Sequence, residues 1–66
     1  MKIFEIKSYD GITCEFIKAN NERQALCSFL MDHPEYDDIV LSQSASGKWH
    51  LAKYDCESEY LYAELV

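Results

Sequence analysis

Alternation of apolar and polar residues is the feature that most constrains how this chain can fold. Residues 2 to 8 place Phe4 and Ile6 on one side of an extended segment and Glu5 and Lys7 on the other. This period of two is typical of a strand with one buried face. Because the pattern recurs along the chain, we expect a sheet to account for most of the fold.

The second alternating segment, residues 12 to 18, predicts a hairpin with the first. Its apolar face comprises Ile12, Cys14 and Phe16. A three-residue loop, residues 9 to 11, puts Gly11 where a positive φ is needed. That loop predicts the cross-strand pairs Phe4 with Phe16 and Ile6 with Cys14. A two-residue loop would set Ile6 against Glu15, so the three-residue loop is preferred.

Only one segment, residues 22 to 32, has the spacing of a helix. Asn21 can cap it, with Gln24 completing an N-x-x-Q variant of the capping box and Glu22 at the positive end of the dipole. Pro34 disfavours helical geometry in the residue before it, so the helix should end near residue 32 or 33. Its predicted apolar face is Ala25, Leu26, Phe29 and Leu30.

The rest of the chain predicts three more strands. A second hairpin turns at residues 45 to 47 and pairs Leu41 with Leu51 and Gln43 with Trp49. The tail alternates Leu61, Ala63 and Leu65 with Tyr60, Tyr62 and Glu64, which favours a fifth strand over a short helix capped by Ser58. The fold class is therefore α+β, order ββαβββ, with a single helix packed on an antiparallel sheet.

Length and composition bound the class of protein. A chain of 66 residues buries only about 60% of the surface that it exposes when unfolded, so we expect one small domain spanning residues 1–66. Its 48% hydrophobic content is too high for a disordered chain. No apolar run approaches the roughly 18 residues of a membrane helix, and the N-terminal residues do not form a signal peptide. We expect a cytoplasmic protein that does not contact membranes.

Metal and cofactor sites are not predicted. Cys14, Cys27 and Cys56 are an odd number without close spacing, which indicates reduced thiols. The acidic stretch DHPEYDD, residues 32 to 38, lacks the alternating ligands and mid-loop glycine of a calcium loop. No Cys or His pair has the spacing of a zinc site.

Enzymatic activity is not predicted either. A nucleophilic pair of Cys27 with His33 or His50 is conceivable, but Cys27 lies beside the predicted buried face of the helix, where cysteine usually serves as a small apolar filler. Two carboxylates acting as acid and base need a cleft that separates their pKa values. A domain this small has little room for one.

The charge distribution indicates a protein partner with a basic surface. The net charge of −6 arises wholly in residues 31 to 66, where eight acids accompany only Lys48 and Lys53. Such a field repels phosphate backbones and favours basic surfaces, so direct binding of nucleic acid is disfavoured. Tyrosine is frequent among interface anchors. The predicted binding residues are Asp32, Glu35, Tyr36, Asp37, Asp38, Tyr54, Asp55, Glu57, Glu59, Tyr60 and Tyr62.

The stretch GKWHLAKYD, Gly47 to Asp55, together with the element order and length, resembles small phage-encoded inhibitors of bacterial defence of the anti-CRISPR type. This resemblance implies a protein of the host cell cytoplasm that occupies a surface of a nucleic-acid-handling effector and carries out no chemistry of its own. The acidic half of the chain suits that role, because carboxylates can take the place of phosphates on a Lys- and Arg-lined groove.

Two other interpretations stay open. The acids of residues 32 to 38 can simply solvate a turn. The chain can also be a homo-oligomeric structural or assembly subunit, because an open five-stranded sheet has two edges that can pair with a second copy.

Overall fold

Five strands and one helix make up the fold in the computed structural model, which describes residues 1–54 and 59–66. The elements are β1 (Lys2–Ser8), β2 (Thr13–Ala19), α1 (Glu22–Asp32), β3 (Ile39–Gln43), β4 (Trp49–Lys53) and β5 (Glu59–Leu65). All strand pairs are antiparallel, in the order β2-β1-β5-β4-β3. The predicted α+β class and element order are confirmed.

The helix has the predicted bounds because local side chains satisfy its ends. The Asn21 side-chain oxygen accepts from the Gln24 amide at 2.8 Å, while the Gln24 side chain accepts from the Asn20 amide at 2.6 Å. This reciprocal pair differs from the usual capping box only in reaching one residue further back. At the other end the His33 amide donates to the Leu30 carbonyl at 3.3 Å, and Pro34 follows.

The helix crosses one face of the sheet from one edge to the other. It follows β2 at one edge, precedes β3 at the opposite edge, and contacts all five strands. Ala25, Leu26 and Phe29 are buried beneath it, and Leu30 packs partly against the same core. The predicted helical face is therefore confirmed. The strands contribute the rest of the core, namely Phe4, Ile6, Ile17, Ala19, Ile39, Leu51, Leu61 and Ala63.

The second hairpin and the fifth strand also agree with the sequence. Leu41 lies opposite Leu51 and Gln43 opposite Trp49, as the three-residue turn predicts. Gly47 in this turn has a φ of 91°, a conformation that residues with a side chain rarely adopt. The tail forms a strand over Glu59–Leu65.

The predicted register of the first hairpin is wrong. The three-residue loop is present, since the Ser8 amide donates to the Ile12 carbonyl at 2.9 Å. A register shift between Ile6 and Lys7 then places Ile6 opposite Glu15. Such a one-residue bulge exchanges the two faces of the strand beyond it.

The shift decides which β2 side chains reach the core. Ile17 and Ala19 are buried and Glu15 is half-buried, whereas Phe16 is 60% exposed and Ile12 is 62% exposed. The apolar set predicted to face the core, Ile12, Cys14 and Phe16, therefore lies outside it. The alternation of residues 12 to 18 fits an uninterrupted strand, and no single residue in it indicates a bulge. The sequence therefore did not predict the register shift.

Replacement of Phe29 by Ala should lower the free energy of unfolding by about 3 to 5 kcal/mol, because its side chain is only 1% exposed and its removal leaves a cavity. Replacement of Phe16 by Ala is the matched control, since its exposed ring predicts a loss of about 1 kcal/mol or less. Urea denaturation of both variants measures the difference. Equal losses would contradict the observed register.

Candidate protein-binding site

The connections that carry most of the acids meet at one end of the sheet. β1 and β4 end there and β2, β3 and β5 begin there, so the loop of residues 9 to 12 lies at the same end as residues 33 to 38. We call this the acidic end. Its described charged side chains are Asp10, Glu15, Asp32, Glu35, Asp37, Asp38 and Glu59, with Lys7 and Lys53. The opposite end holds Lys2, Lys18, Arg23 and Lys48, with Glu22 and Glu64.

His33 is the first residue after the helix, and its side chain contacts both β2 and the loop of residues 33 to 38. Its Nε2 lies 3.0 Å from a carboxylate oxygen of Glu15, and its Nδ1 lies 3.2 Å from one of Glu35. The ring also packs on Phe29, with centroids 4.3 Å apart. Because a neutral imidazole carries one N–H, it can donate to only one of the two carboxylates, whereas the imidazolium can donate to both.

The two carboxylates shift the titration of this cluster. Hydrogen bonds to Glu15 and then Glu35 raise the pKa of His33 above its ordinary 6.5. A backbone hydrogen bond and the contact with His33 lower the pKa of Glu35 below its ordinary 4.5. The charged forms of both residues are therefore favoured in the fold.

Glu35 thus has a structural partner, whereas three other acids of residues 32 to 38 have none among the described residues. Asp32, Asp37 and Asp38 are exposed, and no ion pair joins them to any residue within 1–54 or 59–66. The Asp38 carbonyl accepts from the Tyr54 amide at 2.8 Å, which fastens this loop to the end of β4. The carboxylates are consequently held on a defined backbone and point to solvent.

The predicted tyrosines occupy three different environments. Tyr36 is half-buried, stacks on Phe29 with centroids 5.6 Å apart, and meets the Tyr60 ring at 6.4 Å. The Lys53 ammonium lies 5.5 Å from the Tyr60 centroid. Tyr54 is 76% exposed. Tyr36 therefore supports the loop from within, and Tyr54 is the ring that is free to contact a partner.

Tyr62 belongs to a second cluster near the middle of β5. Its ring lies 4.8 Å from that of Tyr9, and the Lys48 ammonium is 4.7 Å from its centroid. Burial, followed by the influence of the nearby Glu59 carboxylate, raises the pKa of Tyr9 to about 12.

Not every residue predicted to bind a partner lies beside the loop of residues 32 to 38. The structure brings together Asp32, Glu35, Tyr36, Asp37, Asp38, Tyr54 and Tyr60. Glu59 is at the same end but lies near Tyr9, and Tyr62 packs on Tyr9 away from the loop. Asp55 and Glu57 fall outside the described residues.

Residues that the sequence did not single out complete the site. Glu15 lies within hydrogen-bond distance of His33, and Tyr9 lies near Glu59. Glu15 was missed because its inward direction depends on the bulge in β2. Tyr9 was treated only as a turn residue, and no local pattern connects it to a residue fifty positions away.

Several other features bear on the class of site. Among residues 1–54 and 59–66, no three His, Cys, Asp or Glu side chains are arranged to hold a metal ion. Cys14 and Cys27 are free thiols. No helix in the described part of the chain is long and apolar enough to span a membrane. No family model, curated protein or solved structure matches this chain.

The His33 cluster should make stability depend on pH. The raised pKa of His33 means that its contribution is complete below pH 6.5 and is lost as pH rises through the folded-state value. The lowered pKa of Glu35 means that its contribution is complete above pH 4.5 and is lost on acidification. The cluster should therefore contribute most between these values. Denaturation from pH 4 to 9 should show a fall on the alkaline side that His33→Gln reduces.

Titration of His33 by NMR provides a direct check. The wild-type imidazole should titrate above 6.5, and Glu15→Gln should lower that value because the first of its two carboxylate partners is gone. Glu22→Gln, at the opposite end of the helix, should leave the titration of His33 unchanged. A wild-type value at or below 6.5 would contradict the observed geometry.

Proposed function

We propose that this protein binds a basic surface of a protein partner through the acidic end, without chemistry of its own. The observation that carries the proposal is the loop of residues 32 to 38, in which three exposed carboxylates have no ion-pair partner within the described residues. Their local concentration gives the end a negative field that steers a positively charged partner toward it.

The loop is suited to recognition because it is held in place before binding. The Tyr36 amide donates to the His33 carbonyl at 3.0 Å, and the Ile39 amide donates to the Tyr36 carbonyl at 3.3 Å. His33 and Tyr54 fasten its two ends to β2 and β4. A loop already ordered loses less conformational entropy on binding than a flexible acidic tail.

The uneven charge of the molecule also favours one orientation. Basic side chains at the opposite end, including Lys2 and Lys18, repel the surface that the acidic end attracts. A partner with a basic groove is therefore expected to meet the loops and not the helix N-terminus.

We further propose that the partner is a nucleic-acid-binding effector and that this chain acts as an inhibitor, as in phage proteins of the anti-CRISPR type. Carboxylates on a fixed loop can replace phosphates on Lys and Arg side chains. The stretch that resembles those inhibitors has structural roles here. Leu51 and Ala52 are buried, and Trp49 packs on the core beneath the Arg23 guanidinium at 5.5 Å.

Replacing Asp32, Asp37 and Asp38 together by Asn should leave the fold intact and slow association by about tenfold at low salt, because electrostatic steering is removed. The control removes three carboxylates elsewhere, with Gln at Glu5, Glu22 and Glu64, and should slow association much less. Partners captured from host lysate by the wild type provide the binding reagent. Association and dissociation rates are then measured at two salt concentrations.

The partner class is tested with the same reagents. An oligonucleotide should displace the chain from its captured partner if both occupy one surface. Tyr54→Ala should raise the dissociation rate with little loss of stability, whereas Tyr36→Ala should lower stability, since the Tyr54 ring is 76% exposed and the half-buried Tyr36 ring packs on Phe29. Equal association rates for the triple variant and its control would contradict partner binding by this loop and would leave its acids with the role of solvating a turn. Binding that oligonucleotide does not affect would contradict the inhibitor role.

A further inference from the structure

The free edge of β2 presents backbone groups that no described strand satisfies. β2 is the first strand in the sheet order and pairs only with β1. The Val66 amide donates to the Ile3 carbonyl at 3.0 Å, so the odd-numbered residues of β1 bond toward β5 and the even-numbered residues toward β2. Phe16 and Lys18 lie opposite odd-numbered residues, Glu5 and Ile3. Their own N–H and C=O groups therefore point away from the sheet.

The same edge carries an exposed apolar patch on the face opposite the helix. Phe16 is 60% exposed, and Ile3, diagonal to it on β1 and opposite Lys18, is 42% exposed. The other edge strand, β3, has five residues against seven in β2. Its most exposed apolar side chain is Val40, at 37%. The longer and more apolar edge is the one more prone to pair with another strand.

We propose that β2 pairs with β2 of a second copy of this chain, antiparallel and about a two-fold axis at Ile17. The outward N–H and C=O groups of Phe16 and Lys18 can pair with a second copy in three two-fold symmetric registers, with the axis at residue 16, 17 or 18. An axis at Phe16 requires Lys18 to pair with Cys14, which lies at the register shift. An axis at Lys18 sets two lysines directly opposite each other, which is destabilising.

The axis at Ile17 avoids both difficulties. Phe16 of each copy then lies opposite Lys18 of the other, and these two pairs form four backbone hydrogen bonds. The Lys18 stem and ammonium of one copy cover the exposed Phe16 ring of the other. Ile3 lies next to Lys18 in the same copy, on the side away from that ring. On the helix face the two Ile17 side chains meet at the axis.

Charge complementarity supports a second copy as the occupant. Each molecule is acidic at one end of β2, near Asp10 and Glu15, and basic at the other, near Lys2 and Lys18. Antiparallel pairing places the basic end of each copy beside the acidic end of its partner. Each chain carries a net charge of −6, so two copies repel each other overall, and this local pairing of opposite signs offsets part of that repulsion.

A single ladder with two covered rings is a small interface, so the dimer should be weak, with a dissociation constant on the order of 0.1 mM. Sedimentation equilibrium from roughly 0.01 to 1 mM protein, a range centred on that value, should show a monomer–dimer transition. A reductant is kept throughout, so that an intermolecular disulfide through the exposed Cys14 cannot imitate the dimer.

Variants test both the surface and the register. Phe16→Lys sets two lysines opposite each other and should weaken dimerisation about tenfold or more. Adding Lys18→Glu to that variant should restore much of the affinity, because the facing pair becomes Lys and Glu. Met31→Lys, on an 83% exposed helical side chain, is the matched control and should dimerise as the wild type does. Thermal melts check that each variant is folded.

Amide exchange identifies the pairing strand. The Phe16 and Lys18 amides should exchange rapidly in dilute protein and at least about tenfold more slowly in the dimer. A chain that stays monomeric at the highest concentration would overturn the proposal, as would a dimer in which these two amides remain unprotected. Failure of the second substitution to restore affinity would overturn the register. None of these measurements depends on an external partner, so they are independent of the function proposed for the acidic end.

Discussion

The packing of one amphipathic helix across all five strands is the contact on which the rest of this structure depends. Leu26 and Phe29 are almost fully buried against strands from both hairpins, including Ile6 and Leu51. A chain this short has apolar residues for one such layer only. The helix therefore covers one face of the sheet, whereas the other face and the two edge strands stay exposed to solvent.

The helix also determines where the loops gather. Because it runs from the β2 edge to the β3 edge, its C-terminus and the loop after it lie at the end where β3 begins. His33, the first residue beyond the helix, then reaches Glu15 on β2 and Glu35 in the loop. The imidazole of His33 thus links helix, sheet and loop, and it orders the acidic connection.

This arrangement separates the acids into two groups with different roles. Glu15 and Glu35 lie within hydrogen-bond distance of His33 and tie the loop to β2. Asp32 and Asp37 are exposed and form no ion pair among the described residues, so their charges contribute to the negative electrostatic potential of the surface. The loop of residues 32 to 38 and the β2 edge are different parts of the molecule, the first recognised mainly through charge and the second mainly through backbone groups and the Phe16 ring. A partner and a second copy can therefore be recognised by different physical means.

Local sequence determined the elements, and only the tertiary structure decided their arrangement. The Asn21 cap, Pro34 and the spacing of Leu26 and Phe29 predicted the helix, because capping and helical periodicity act within a few residues. The turn containing Gly47 likewise determined the second hairpin, since loop length sets register when no bulge intervenes.

The central pairing of β1 with β5, the bulge that turns Phe16 outward and Ile17 inward, and the contacts of His33 depend on residues distant in the chain. Charge counting predicted an acidic surface but not which carboxylates stay free. That division follows from side-chain partners, which exist only once helix, strand and loop are packed together.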